Sequence, residues 1–286
     1  MISKRYRIED SLGIPPAAAA QPAVEIGGAR LEEILGAIND LKRITQAMLG
    51  VAVVFAAWHM TVRGLSIPKY LVPVPLEVAV ALQENWRKVA AQAGFTLSAA
   101  AFGLVISMTL ATSLAVAFTM SRKLEQTTLP VVLVFRSTPI AAVAPIMMLI
   151  FGRGMSTSMA VVSIVSFFPM LVNMMRGLQS ADRNAAELLH VYGATRWQQL
   201  RMVRIPYALP YLFTGLRVAG SSAILGAMLS EWITGSKGLG NLILESGELR
   251  ETELLWGAVL VSVSVALIVF WSTSAAEKRL LRWTQR

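Results

Sequence analysis

The chain has 286 residues, of which 55% are hydrophobic and only 15% charged, and its mean hydropathy is +0.58. Soluble domains carry about 25% charged residues, so this composition argues against an ordinary soluble enzyme and for a polytopic membrane protein. The formal charge of +9 does not signal nucleic acid, because the basic residues flank apolar runs; there is no cysteine for disulfides or thiolate metal sites, and His59 and His190 are too few for a histidine metal centre.

Residues 1–43 read as an arm. Met1–Ala29 holds Lys4, Arg5, Arg7, a Pro-Pro pair and the run Ala17–Ala20, and Leu31–Leu41 has the pattern of a short amphipathic helix. The basic start is not followed promptly by an apolar core, unlike a cleaved signal peptide. Six spans are then expected, within a membrane domain over 44–275: Ile44–Val62, Gly94–Met120, Leu129–Phe151, Ser156–Met175, Tyr207–Ile233 and Leu254–Thr273. Each has the length of about twenty residues that a crossing helix needs. Pro139 and Pro145 in the third and Pro169 in the fourth remove backbone donors and predict kinks or local unwinding. In lipid such breaks survive only when buried against protein or facing a water-filled path. Gly64–Ala93 is a connection in which Pro68, Pro73 and Pro75 forbid a continuous helix, with a surface helix expected at Leu76–Ala91. Residues 276–286 form a basic tail.

The Lys and Arg count sets an orientation. With both termini in the cytoplasm, seventeen basic residues lie on that side against seven on the other, and Arg136 and Arg217 fall inside spans. The positive-inside rule therefore places both ends, and the loop over 177–206, in the cytoplasm.

That loop is polar, basic and helical in pattern. Ala185–Tyr192 contains good helix formers and sets Leu188, Leu189 and Tyr192 on one side. Gly193 permits a left-handed backbone at the helix end. Thr195 can cap a second helix in which Trp197, Leu200 and Val203 recur at three-residue spacing, and Pro206 ends that helix or opens the next span. Read from the residues alone, the loop could be an interfacial anchor. A helix-turn-helix for DNA has the right form but the wrong setting, tethered between two spans.

Glu187 stands six residues before Gly193, and Val203-Arg204-Ile205-Pro206 follows at the spacing of an I-x-L-P ending. This resembles the coupling loop of ABC importer permeases, E-A-A-x-x-x-G followed by nine residues and I-x-L-P, with Leu188 and Leu189 in place of the two alanines. The stretches FRSTPIAAVAPIMMLIFGRG (Phe135–Gly154), FFPMLVN from Phe167, SEWITGSKGLGNLI from Ser230 and LVPVPLEVAVAL from Leu71 are similar to the sulfonate, taurine, nitrate and bicarbonate permease subfamily. The resemblance covers roughly Ile44 to Ile268. It implies an all-α membrane protein with the type I importer fold of about six transmembrane helices, in the inner membrane of a bacterial cell. It further implies a second permease subunit (one permease type, hence a homodimer), two ATPase subunits that bind ATP and Mg, and an extracytoplasmic substrate-binding protein. Docking to the ATPase would fall to Ala185, Ala186, Glu187, Leu188, Leu189, Tyr192, Gly193, Ala194 and Arg196. The chain itself would hold no cofactor or metal and would not be an enzyme: GRGMST from Gly152 lacks the Gly-Lys-Ser/Thr ending of a phosphate loop.

Charges within spans are expensive and usually pair or line a path. Arg136, Pro139, Arg217 and Glu231 are therefore expected on the translocation path, favouring an anion; the alternative is that each arginine bonds carbonyls freed at a broken helix, such as that at Pro139. Glu231 is too far along the helix to pair with Arg217, and Gly238 and Gly240 read as a turn; the family resemblance implies that this region and Glu231 lie near the external gate or docking surface. A carrier of a neutral or heterocyclic nutrient in the same family remains an alternative. A stand-alone secondary transporter should show repeated halves and mid-membrane carboxylates, and neither is apparent.

Overall fold

The structure, a computed structural model, describes residues 42, 45–46 and 48–280. The expected arm, its amphipathic helix at Leu31–Leu41 and the last residues of the tail lie outside the described residues. All regular structure among the described residues is helical, as hydrocarbon requires of any chain that does not close a barrel.

The chain divides into two units after Thr61. Most described residues of the first belong to the apolar helix α1 (Met48–Gly64), which continues three residues past Thr61, and in which Phe55 and Trp58 hold their rings 5.9 Å apart. The second unit contains α2 (Pro75–Glu84), α3 (Trp86–Met120), α4 (Arg122–Arg136), α5 (Ile140–Phe151), α6 (Met155–Gln179), α7 (Arg183–Val191), α8 (Arg196–Gln199), α9 (Ile205–Thr234), α10 (Leu239–Glu248) and α11 (Thr252–Leu280). Among the described residues, four uninterrupted helical stretches are long and apolar enough to cross a membrane: α3, α6, the run Arg196–Thr234 that contains α9, and α11.

Two sequence expectations change here. The third span is not one helix: α4 stops at Arg136, Ser137 and Thr138 are non-helical, and α5 restarts after Pro139. Pro139 cannot donate, and a proline disfavours helical backbone in the residue before it. Pro130, Pro145, Pro169 and Pro210, by contrast, are absorbed inside helices. The surface helix at Leu76–Ala91 also divides. It ends at Asn85, whose side-chain amide donates to the Ala81 carbonyl at 3.0 Å, and its second half opens α3.

Contacts fix the directions. Ser158 and Ser230 hydroxyls lie 3.3 Å apart, the Ser166 hydroxyl donates to the Ala219 carbonyl at 3.4 Å, and Gly177 lies against Ala208; α6 and α9 are therefore antiparallel. Gly103 faces Val162, and Ala115 to Thr119 share a groove with Met175 and Gln179, so α3 runs parallel to α6. The seam is lined with small buried residues: Ala99, Ala100, Ala111 and Ala115 on α3, and Gly215, Ala219, Ala223 and Ala227 on α9. Small side chains let helices approach closely, which in lipid replaces the missing hydrophobic drive with dispersion contacts. Large apolar residues point outward instead, among them Val134, Leu149 and Leu225.

One end of this bundle is tied by a buried carboxylate. Glu231, near the end of α9, is fully buried. Its Oε1 accepts from the Thr96 hydroxyl of α3 at 2.8 Å, and its Oε2 from the Gly240 N–H at 2.8 Å. Thr96 Oγ1 in turn accepts from the Leu239 N–H at 2.8 Å, and Gln92 Oε1 accepts from the Gly238 N–H at 2.6 Å. The first N–H groups of α10, which no intrahelical carbonyl can serve, are thus taken by three side chains from α3 and α9. Gly238 has φ +134°, and a Cβ there would collide with the Glu231 carboxylate; Gly238 is required by contact, not merely by a turn. Thr96→Val removes a donor and an acceptor from a dry site, and an unsatisfied buried group costs about 1–3 kcal/mol. Thermal unfolding in detergent should show a clear drop in Tm for Thr96→Val and near-recovery for Thr96→Ser. An unchanged Tm in Thr96→Val would contradict this role.

Candidate functional site

The segment between α6 and α9 is built from local signals that meet end to end. Asp182 caps α7, its carboxylate accepting from the Asn184 N–H at 3.0 Å. Arg183 and Glu187 pair one turn apart at 2.7 Å, and hydrogen bonding to Glu187 together with its charge raises the Arg183 pKa above the ordinary guanidinium value, so the arginine keeps its charge. At the other end Gly193 takes φ +76°. Its N–H reaches the His190 carbonyl and the Ala194 N–H reaches the Leu189 carbonyl, each at 2.9 Å. This pair of bonds is a Schellman ending, which needs a left-handed residue at Gly193's position. Thr195 then opens α8 in a reciprocal box with Gln198: the Thr195 N–H donates to Gln198 Oε1 at 2.7 Å, and the Gln198 N–H to Thr195 Oγ1 at 3.3 Å.

α7 buries none of its residues. Leu188, Val191 and Tyr192 are 58%, 83% and 80% exposed, whereas Ala185, Ala186, Leu189 and Ala194 are half-buried and Glu187 and Arg196 are exposed. The apolar outer face is therefore Leu188–Val191–Tyr192, and Leu189 turns inward, unlike the expected grouping of Leu188, Leu189 and Tyr192. The row Trp197, Leu200, Val203 also splits. Leu200 and Val203 are buried but Trp197 is 58% exposed; a π-helical turn follows over Leu200–Arg204, with the Ile205 N–H reaching back to the Leu200 carbonyl. Pro206 opens α9 within the same continuous run. The wider turn before it suits a proline, which brings no N–H to the ladder.

The two arginines inside spans have different surroundings. Arg217 on α9 is ion-paired with Glu277 near the end of α11 and sits 6.0 Å from the centre of the Phe270 ring. It neither bonds freed carbonyls nor meets Glu231, which is held by Thr96 and Gly240. Arg136 closes α4 immediately before the break at Ser137–Pro139, and its guanidinium lies 4.4 Å over the Phe168 ring of α6. Among the described residues no carboxylate forms an ion pair with Arg136. Together with Thr138, Phe167, Phe168, Met147 and Leu110 it lines a cavity of about 450 Å³. Apart from Arg136, Thr138 and Ser163 the walls are apolar. The four residues expected on one path are thus not brought together: Arg136 and Pro139 share the break, Arg217 belongs to the α9–α11 contact, and Glu231 to the opposite end of α9.

Sequence reasoning missed Thr96, Gln92 and Glu277. Thr96 and Gln92 carry no motif, since a single polar residue in the first turns of a largely apolar helix looks like packing. Glu277 was visible as an acid among basic tail residues, and a search for counter-charges to Arg217 on other helices would have found it. Among the described residues no group of three or more His, Asp or Glu is placed to hold a metal.

The chain from residue 103 to 282 matches the family model described as "Binding-protein-dependent transport system inner membrane component". It is 32% identical to the riboflavin transport system permease protein RibX of Chloroflexus aurantiacus, covering 86% of this chain and 94% of that protein. It is 28% identical to the formylaminopyrimidine transport permease protein ThiX of Halalkalibacterium halodurans, over 86% of this chain and all of that one. To a putative aliphatic sulfonates transport permease protein, SsuC of Bacillus subtilis, it is 24% identical over 83% of this chain and 87% of the other. Among solved structures, the fold is shared with an amino acid ABC transporter (TM-score 0.57, 18% identity, 70% of this chain and 97% of that one) and with the MetNI methionine ABC transporter in an inward-facing form (TM-score 0.56, 17% identity, 73% and 98%). The helices that cross the membrane, the capped and exposed segment between α6 and α9, and these likenesses agree: the chain belongs to the inner-membrane permease family of binding-protein-dependent ABC importers.

Proposed function

We propose that this permease works with two ATPase subunits through α7, which acts as the coupling helix, and with a second copy of itself across the translocation path. The observation that carries this reading is the exposed apolar face Leu188–Val191–Tyr192 on a helix that buries nothing of its own. Such a patch is out of place on a face turned to water unless a partner covers it. The Schellman ending at Gly193 and the capping box at Thr195 hold it as a rigid knob, suited to passing a rigid-body motion from ATPase to spans. The lysine and arginine asymmetry supports placing this face, and both termini, in the cytoplasm. ATP and Mg²⁺ then belong to the partner, and a binding protein delivers cargo at the face carrying Gly238 and α10.

For the cargo we propose a small organic anion. Arg136 is the observation that favours it: a charge within an apolar helix pair, at a backbone break, beside a cavity, with no carboxylate partner among the described residues. A charge so placed marks a solute pathway more readily than a structural tie. The remaining walls suit an apolar body better than nitrate or bicarbonate, whose oxygens would find few donors there. The relatives named for aliphatic sulfonates fit this chemistry, and those named for riboflavin and formylaminopyrimidine supply the second reading, a flat heterocycle against Phe167 and Phe168.

In co-purification, Leu188→Asp combined with Tyr192→Asp should abolish recovery of the ATPase while the permease still inserts. Central interface anchors are worth about 2 kcal/mol or more, so retention of the ATPase at wild-type level would overturn the coupling role of α7. Gly193→Val forces a β-branched residue into left-handed backbone at about 1–2 kcal/mol; uptake per ATP hydrolysed should fall, and unchanged coupling would contradict the account of the turn. Arg136→Gln in proteoliposomes should lower uptake of an anionic cargo at least tenfold without loss of ATPase binding; uptake at the wild-type rate would remove Arg136 from the path.

A further inference from the structure

At the end of the bundle opposite Gly238, two contiguous grooves of about 440 and 330 Å³ share Thr119, Arg122 and Arg204, and the second adds Arg196 and Gln199. The three arginines come from separate elements. Arg122 opens α4, Arg196 opens α8, and Arg204 closes the π-helical turn. None forms an ion pair among the described residues. Glu125 lines the wider groove and offsets part of this charge. The Thr119 hydroxyl donates to the Ala115 carbonyl at 2.9 Å and the Gln199 amide to the Ala194 carbonyl at 3.2 Å, while Gln179 adds an amide to the wider groove. The guanidinium groups are the charged donors of the groove. Their forked geometry suits the oxygens of a phosphate.

Position decides which phosphate. α3 leaves its apolar run at Met120 and α9 enters its own after Arg204, so the groove lies at the level where spans end and lipid headgroups begin. The helical run that carries Arg196 and Arg204 also exposes Trp197, Met202 and Tyr207, by 58%, 63% and 47%. Tryptophan and tyrosine gather at headgroup depth, and basic pockets between spans take anionic headgroups there. We propose that Arg122, Arg196 and Arg204 form a binding site for the phosphate of an anionic phospholipid. Seated there, the headgroup bridges the α3–α4 turn and the base of α9, and so ties the spans to the segment that carries α7. The site depends on the chain spanning a bilayer; only the leaflet depends on the orientation proposed above.

The intact transporter, with its ATPase, is exchanged into phosphatidylcholine nanodiscs containing graded phosphatidylglycerol, and retained lipid is read by native mass spectrometry. The wild type should keep phosphatidylglycerol selectively. Arg122→Gln with Arg204→Gln should weaken its retention about thirtyfold, taking each basic residue at the scale usual for anionic membrane surfaces. Lys123→Gln, the same charge change outside the groove, should leave retention as it is, and Arg196→Gln alone carries the same reading if the double variant does not assemble. Equal retention by the double variant, equal retention of phosphatidylcholine, or displacement of the lipid by an excess of inorganic phosphate would each overturn the proposal, the last by marking a pocket for soluble anions.

Discussion

Hydrocarbon offers no partner to a backbone N–H or C=O, and that constraint organises this molecule. Where the chain is helical, each group is satisfied within its own segment, so helices are the only regular structure among the described residues. Where helices stop, a side chain or a protein-lined space has to take over. At the start of α10, Glu231, Thr96 and Gln92 serve the first N–H groups. At the break after Arg136 the Ser137 N–H still reaches the Val134 carbonyl, and Thr138 borders a cavity. The same chain thus shows a closed solution and an open one.

Charge follows the same logic. Arg217 is neutralised by Glu277 on a neighbouring helix, which makes it part of the tie between α9 and α11. Arg136 leans on an aromatic face and has no carboxylate partner among the described residues. A ring quadrupole offsets about 0.5–2 kcal/mol of a cation's desolvation, short of the 2.5–3.5 kcal/mol that an arginine costs at mid-membrane. The difference between two residues of one type, in spans of one protein, assigns them different work.

Much of this was legible beforehand. Four of the six expected spans, Gly94–Met120, Ser156–Met175, Tyr207–Ile233 and Leu254–Thr273, fall within helices long and apolar enough to cross, because a bilayer sets a minimum length for a span. The third is broken and the first overlaps the shorter α1. Gly193, Thr195 and their spacing gave the turn and the cap, since local hydrogen bonding decides both. What periodicity cannot carry is tertiary. The π-helical turn over Leu200–Arg204 carries no composition signal, and neither does the exposure of Trp197 beside the buried Leu200 and Val203. The knot around Glu231 joins residues more than 130 positions apart, and the seat of Leu189 depends on what α7 rests against. Gly238 looked like a turn because a glycine reserved for a neighbour's carboxylate reads the same in one dimension.

The chain contains no cysteine, which allows the central claim, that the outer face of α7 meets an ATPase, to be tested by site-specific crosslinking. Single cysteines at Leu188, Val191 and Tyr192, and one at Glu248 on the far end of the bundle, would be reacted in membranes with a short bifunctional reagent. The account predicts permease–ATPase adducts from the three α7 positions and none from Glu248. Adducts absent from α7, or equally strong from Glu248, would contradict it.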